Sequence, residues 1–220
     1  AYFGTTATQI VAVGYRAAYN NLADRTVAVG HGSMTTNTTG DRNTAVGWNS
    51  LYFNTFGGYN VAIGHESLYT NATGSQNTAQ GYQALYTNSA SNNTAMGYQA
   101  SYTNSTGTAN AVLGYQALYS NTTGGSNTAI GHIAAYSNTT GQFNTAVGQE
   151  SLYTNTIGTG NTAIGRDALY ANTTASNNTA VGYQAATTNT FGDGLTAIGY
   201  RALYLNVTGV QNTAIGAQAL

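Results

Sequence analysis

One motif recurs along the chain at an almost fixed spacing. A glycine that follows an Ala-Val, Ala-Ile or similar pair, called here the strand glycine, occurs thirteen times in the 220 residues. Successive strand glycines are 17 residues apart, except for two intervals of 16. Such a strict period is typical of a solenoid in which each repeat forms one coil and contacts only its neighbours. The strand glycines are Gly14, Gly30, Gly47, Gly64, Gly81, Gly97, Gly114, Gly131, Gly148, Gly165, Gly182, Gly199 and Gly216.

The composition excludes several classes of partner. Charged residues make up 5% of the chain, with five arginines and no lysine, against about 25% in ordinary globular domains. The chain therefore has no basic surface for a phosphate backbone, and we expect no nucleic-acid partner. Cysteine is absent, which excludes disulfides and thiolate metal sites. No apolar run approaches the roughly 20 residues of a membrane span, so we expect none.

Each repeat divides into three segments. The Asn-Thr-Ala-Val-Gly segment is short and often β-branched, which predicts a strand, and Asn-Thr-Thr-Gly predicts a turn. The Gln, Ala and Leu of the intervening Tyr-Gln-Ala-Leu-Tyr segment favour a helical turn with both tyrosines and the leucine on one side and the glutamine outside; a second strand is the alternative. Proline is absent, as suits a continuous ladder. We predict an all-β or mostly β solenoid of about thirteen 17-residue coils, forming a single repetitive domain over residues 1–220.

Asparagine occupies two slots of the repeat. In the inner Asn column, seven residues after the strand glycine, it fills all twelve complete repeats. In the second Asn column, four residues before the strand glycine, it is replaced only by Ile10, Thr26 and Leu195. Identical amides one coil apart can hydrogen-bond along the stack, so we expect buried ladders whose disruption, as in Asn121→Ala, is costly. The predicted structural ladder is Asn21, Asn37, Asn54, Asn71, Asn88, Asn104, Asn121, Asn138, Asn155, Asn172, Asn189 and Asn206.

Aromatic residues occupy two further slots. In the Tyr column, five residues after the strand glycine, only Thr35 and Thr187 replace tyrosine. In the outer aromatic column, directly after the strand glycine, Tyr, His and Trp are joined by Gln149 and Arg166. Rings repeated in register are expected to stack. The more variable outer column is expected to lie nearer solvent or an interface, with carbohydrate stacking as the alternative. The predicted aromatic ladder is Tyr52, Tyr69, Tyr86, Tyr102, Tyr119, Tyr136, Tyr153, Tyr170 and Tyr204.

The titratable residues do not form a catalytic or metal-binding pattern. The three histidines all lie in the outer aromatic column, at least two coils or roughly 10 Å apart, which is too far for a shared ion. We interpret them as aromatic replacements for tyrosine. The carboxylates in the slot two after the strand glycine lack the partners that would raise one pKa and lower another. We therefore expect no catalytic residue, no metal site and no cofactor. These residues are His31, His65 and His132, and Glu66, Glu150 and Asp167.

Two parts of the repeat resemble known fibre proteins. The Asn-Thr-Ala-Ile-Gly core at residues 127–131, 161–165 and 212–216 resembles the Ser-Val-Ala-Ile-Gly strand of trimeric autotransporter adhesin heads, although the adhesin repeat is shorter. The longer unit, Asn-Thr-Ala-Val-Gly-x-x-Ala-Leu-Tyr-x-Asn-Thr-Thr-Gly, resembles repeats of bacteriophage tail fibres and bacterial surface proteins. This resemblance covers essentially the whole chain. It implies a β-solenoid fibre, often homotrimeric, at a surface.

Three functions fit these patterns. A structural shaft or self-assembling filament explains the uniformity of the columns. An adhesin or receptor-binding rod would bind a surface glycan or receptor through the outer aromatic column and the turn tips, but the departures from the repeat are scattered rather than clustered. An ice-binding solenoid would require a regular Thr array, and the turn Thr slots are interrupted. The interruptions are Phe56, Ala72, Ala90, Ile157 and Phe191.

Copies of the chain itself are the expected partners. A 17-residue coil encloses little volume, and its aliphatic and aromatic content exceeds what so thin a section can hide. We therefore expect lateral contact with other copies, most simply around a threefold axis. The phase of the repeat at Ala1 matches that at the other end, so we expect chains to stack end to end or the sequence to be a slice of a longer repetitive protein. The expected location is extracellular, on a cell surface or a virion.

Overall fold

The computed structural model describes residues 8–220, and in that range the fold is an all-β parallel solenoid with thirteen strands. Ala1, and the repeat phase expected there, lies outside the described residues. Consecutive strands begin 16 to 18 residues apart, which confirms the coil length predicted from the strand glycines. The strands are β1 (Ile10–Val13), β2 (Thr26–Val29), β3 (Thr44–Val46), β4 (Val61–Ile63), β5 (Thr78–Gln80), β6 (Thr94–Met96), β7 (Ala111–Leu113), β8 (Thr128–Ile130), β9 (Thr145–Val147), β10 (Thr162–Ile164), β11 (Thr179–Val181), β12 (Thr196–Ile198) and β13 (Thr213–Ile215).

The chain forms two compact units, the first ending at Ala109 and the second covering Asn110–Leu220. Strands β1 to β6 lie in the first unit and β7 to β13 in the second. Within each unit, every strand pairs in parallel with the next strand along the chain. The register aligns equivalent residues, so that Ala146 pairs with Ala163 and Ala163 with Ala180. Each slot of the repeat therefore becomes a column of side chains.

The strand residues alternate between the interior of the coil and solvent. In β10 the central Ala163 is fully buried, whereas Thr162 is half-buried and Ile164 is exposed. Leu169, from the turn of the same coil, is also fully buried. A coil this narrow accommodates alanine on the strand side because a larger residue would leave no room for the leucine and the buried asparagines. In most coils the core is therefore built from Ala, Leu and Asn, whereas Met34, Ser101 or an alanine fills the leucine slot of the others.

The strand glycine occupies a conformation that other residues rarely adopt. Gly148 has a φ of +130°, a region used almost only by glycine. A Cβ atom at this position would lie 2.7 Å from the carbonyl carbon and oxygen of Gly165 in the next coil. Both the backbone angle and the close approach of neighbouring coils therefore require glycine, which explains why this residue marks the repeat.

The helical turn predicted for the Tyr-Gln-Ala-Leu-Tyr segment is wrong. Residues 8–220 contain no helix, and this segment forms a turn in which Gln116 and Leu118 have φ angles of 47° and 51°. The N–H of Leu118 donates to the carbonyl of Ala134 in the next coil at 2.9 Å, not to a carbonyl four residues back. Leu118 is fully buried while Tyr115 is exposed, so the predicted placement of leucine and tyrosine on one side is also wrong.

Candidate interaction surface

The inner Asn column lies inside the coils and is hydrogen-bonded along the stack. Asn138 donates from Nδ2 to Oδ1 of Asn121 at 2.9 Å and to the carbonyl of Gly141 at 3.0 Å. Its own Oδ1 accepts from Nδ2 of Asn155 at 2.8 Å. The same amide-to-amide bond measures 2.6–3.1 Å over Asn37 to Asn104 and 2.8–3.2 Å over Asn121 to Asn206. These bonds satisfy buried polar groups that would otherwise be unpaired.

The second Asn column bonds to the backbone rather than to its own amides. Nδ2 of Asn127 donates to the carbonyl of Gly141 in the next coil at 2.9 Å, and its Oδ1 accepts the backbone N–H of Asn144 at 3.0 Å. The Gly141 carbonyl thus accepts from Asn127 and from Asn138 of the inner column. The repeat therefore contains one amide-to-amide ladder and one amide-to-backbone ladder, which meet at the turn carbonyl.

Within each unit the Tyr column contains a run of stacked rings. Neighbouring ring centroids are 5.1–5.5 Å apart from Tyr52 to Tyr102 and 5.2–5.5 Å apart from Tyr119 to Tyr170. The rings in both runs are half-buried. Tyr204 is not part of the second run, because Thr187 occupies the intervening slot. The guanidinium of Arg201 lies 5.0 Å from the ring centroid of Tyr204.

Arginines accompany the ends and gaps of the aromatic columns. Arg16 lies 5.6 Å from the ring centroid of Tyr19, next to the gap at Thr35, and Arg166 lies 5.8 Å from that of Tyr183. A guanidinium over an aromatic face is attracted by the ring quadrupole. The repeat pattern alone did not predict this role for arginine. The positions of the arginines indicate it, because three of the five lie one or two residues after a strand glycine, beside the aromatic slots.

The partial burial of the Tyr column raises the pKa of several of its phenols. Burial is the main cause for Tyr69, Tyr86, Tyr136 and Tyr170, and nearby charge adds to it, from Glu66 at Tyr69 and Tyr86 and from Glu150 at Tyr170. The pKa of these phenols is raised only in the folded state. The unfolded chain therefore releases these protons at a lower pH than the folded chain does.

We therefore expect the thermal stability to decrease as the pH rises above about 10, the ordinary pKa of tyrosine. The chain has no lysine, so the phenols dominate titration in this range. Melting curves followed by circular dichroism between about pH 8 and 11 measure the effect, and Tyr136→Phe should reduce its slope. A melting temperature that stays constant over this range would contradict the expectation.

The outer aromatic column is exposed except at the half-buried His31, and its rings cover one another's faces. Centroids of Tyr82 and Tyr98 are 5.1 Å apart with planes 10° apart. The histidines take part in the same stacks, with His31 lying 4.2 Å from Trp48 and His132 lying 5.2 Å from Tyr115. The stacking supports their interpretation as replacements for tyrosine.

Aliphatic residues beside this column complete an apolar surface. The residue just before the strand glycine points out of the coil, and Ile130, Ile164 and Ile198 are 38–39% exposed. With the rings that follow the strand glycine, they form what we call the apolar face. In the second unit it consists of Leu113, Tyr115, Ile130, His132, Val147, Ile164, Val181, Tyr183, Ile198, Tyr200 and Ile215.

Charged groups are few and are paired locally. Glu66 accepts a hydrogen bond from Nε2 of Gln83 at 2.8 Å, and Asp167 lies 3.6 Å from Nε of Arg166. Among residues 8–220, no three His, Cys, Asp or Glu side chains are grouped as metal ligands. The same range contains no helix that is long and apolar enough to cross a membrane.

No protein-family model, curated protein or solved structure matches the chain.

Proposed function

We propose that this chain is the shaft of an extracellular fibre, on a cell surface or a virion, that assembles from copies of itself. The apolar face carries the proposal, because it repeats on successive coils and nearly lacks charge. An exposed apolar surface of this extent is costly in water and marks a site of association. A shaft also needs neither a catalytic residue nor a cofactor, which agrees with the absence of such a pattern from the sequence.

Lateral contact through the apolar face is the simplest way to bury it. Isoleucines and tyrosines repeated at the spacing of the coils can interdigitate with the same columns of another copy, and such matched surfaces favour a closed symmetric assembly. We propose a homotrimer, as in the fibres that the repeat resembles. End-to-end stacking would extend the same parallel ladder, because within each unit every strand already hydrogen-bonds to the next in register.

Two observations favour a shaft over the alternative functions. The ring faces of the outer aromatic column are covered by neighbouring rings, so a glycan would meet mainly ring edges. The first Thr of the turn donates its hydroxyl hydrogen to the next coil, as Thr139 does to the carbonyl of Thr156 at 2.9 Å, so these hydroxyls are occupied within the fold rather than offered to ice. An ice-recrystallisation assay should accordingly show no inhibition.

The triple variant I130Q/I164Q/I198Q tests the proposal. Gln80 already occupies the equivalent slot in another coil, so glutamine is compatible with the fold. We expect the wild-type chain to form lateral oligomers in sedimentation velocity and the variant to dissociate to monomers at the same concentration. The physical reason is the loss of apolar surface, about 25 cal/mol per Å² buried.

The matched control is Ile157→Thr. Ile157 is an exposed isoleucine at a turn tip, and threonine occupies the same slot at Thr140 and Thr174. This change should leave the oligomer intact. A wild-type chain that remains monomeric at all accessible concentrations, or a control that dissociates as readily as the triple variant, would refute the apolar face as the interface.

A further inference from the structure

Two pairs of tyrosines in the outer aromatic column are both exposed and parallel. The ring centroids of Tyr82 and Tyr98 are 5.1 Å apart, and those of Tyr183 and Tyr200 are 5.7 Å apart with planes 8° apart. All four rings are exposed to solvent. Since each pair joins the same slot of adjacent coils, corresponding atoms of the two phenols lie side by side. The carbons next to the hydroxyl on one ring therefore face the same carbons of its neighbour.

We infer that these two pairs are sites of oxidative cross-linking, in which adjacent coils become joined by dityrosine. The inference goes beyond the proposed shaft. Both tyrosines of a pair belong to one chain, so the link forms in the separate chain, where the apolar face is uncovered. The composition agrees with this chemistry. The chain has eighteen tyrosines, no cysteine for disulfides and no lysine for isopeptide or imine cross-links, so tyrosine is its principal side chain for covalent reinforcement.

The oxidant that the reaction requires is a peroxide used by a haem peroxidase. Each phenol loses one electron and one proton to give a phenoxyl radical. The two radicals couple through the ring carbons ortho to the oxygens, forming one C–C bond. Each of these carbons then loses its hydrogen as a proton while its oxygen regains one, which restores both aromatic rings. Overall, two tyrosines and one hydrogen peroxide give one dityrosine and two waters.

Exposure to solvent distinguishes these pairs from the stacked rings of the Tyr column. Rings such as Tyr69 and Tyr86 are also stacked, at 5.1 Å, but they are half-buried. Burial also raises their pKa, so they hold the phenolic proton more tightly. Because the outer pairs are more exposed, a haem peroxidase therefore oxidises them first. Tyr59 is a further exposed tyrosine, but it lies in a different slot and its ring is accompanied by Arg42 rather than by another tyrosine.

The test is to treat the purified full chain with a haem peroxidase and hydrogen peroxide at high dilution and to map the products. Dityrosine fluorescence reports the reaction, and mass spectrometry of a protease digest identifies the linked peptides. We expect links within one chain between Tyr82 and Tyr98 and between Tyr183 and Tyr200, each with the loss of two hydrogens. Protein unfolded in urea and treated in the same way should lose this selectivity.

Two single variants provide the controls. Tyr98→Phe should abolish the link to Tyr82 and leave the link between Tyr183 and Tyr200 unchanged, whereas Tyr59→Phe should change neither. Circular dichroism establishes that both variants are folded. The inference is overturned if the native chain forms no dityrosine under conditions that couple free tyrosine, if its links lie only in the Tyr column or between chains, or if folded and unfolded protein give the same products.

Discussion

Replacing the strand glycine Gly148 with alanine is expected to unfold several coils of the second unit. The change forces a side chain into a φ of +130° and places a methyl group 2.7 Å from the backbone of Gly165. Strain of the backbone costs about 1–3 kcal/mol, and overpacking against a backbone that cannot move aside costs a similar amount. Because coils stabilise one another through their interfaces, the damage should extend to neighbouring coils. Chemical denaturation followed by circular dichroism measures the loss of stability.

The matched control for Gly148→Ala is Gly141→Ala, at the turn glycine. A Cβ atom on Gly141 would lie 2.4 Å from the carbonyl oxygen of Gly158 in the next coil and 2.4 Å from Oδ1 of Asn138, so the turn must shift, but the backbone there does not require a positive φ. Alanine occupies this slot naturally at Ala175, where Asn161 and Asn172 still donate to its carbonyl at 2.9 Å. We expect Gly141→Ala to cost less than Gly148→Ala, because the turn has no strained backbone angle and already accepts alanine at Ala175. Equal losses from the two variants would mean that the strand glycine is not specially constrained.

The repeat length, the strands and the parallel register could be predicted from the sequence because one constraint produces all three. A glycine needed for its backbone angle recurs once per coil, and the alanine two residues before it, such as Ala146, marks the buried side of the strand. Parallel pairing in register then follows, since a shift of one residue between neighbouring strands would place the buried alanine of one strand opposite the exposed isoleucine slot of the next. The positions of the aromatic columns follow from the same register.

The conformation of the turn could not be predicted in the same way. Helix propensity describes hydrogen bonds within a segment, whereas the N–H of Leu118 bonds to the next coil. That bond between coils is compatible with a left-handed φ at Leu118, which propensity disfavours. The two Asn columns were likewise indistinguishable by sequence, because the choice between an amide and a backbone partner depends on where the turn carbonyl lies.

The hydrogen bonds of Asn138 explain why its replacement by alanine should be among the most damaging changes. The side chain is fully buried, donates to Asn121 and Gly141, and accepts from Asn155. Its loss removes the amide partner of the two asparagines and one of the two donors to the Gly141 carbonyl. A buried polar group left unsatisfied costs about 1–3 kcal/mol, so we expect Asn138→Ala to destabilise the second unit by about 2–5 kcal/mol.

Thr140→Ala is the control for Asn138→Ala, because Thr140 is an exposed residue of the same turn in a slot that also accepts Ile157 and Phe191. It should change the free energy of unfolding by less than about 0.5 kcal/mol. Pairing Asn138→Ala with Asn155→Ala then distinguishes a ladder from independent residues. In a ladder the second substitution costs less than it does alone, because Asn155 has already lost the acceptor at Asn138, and neighbouring sites that share a hydrogen bond are not additive. Strictly additive losses would show that each asparagine acts only on its own turn.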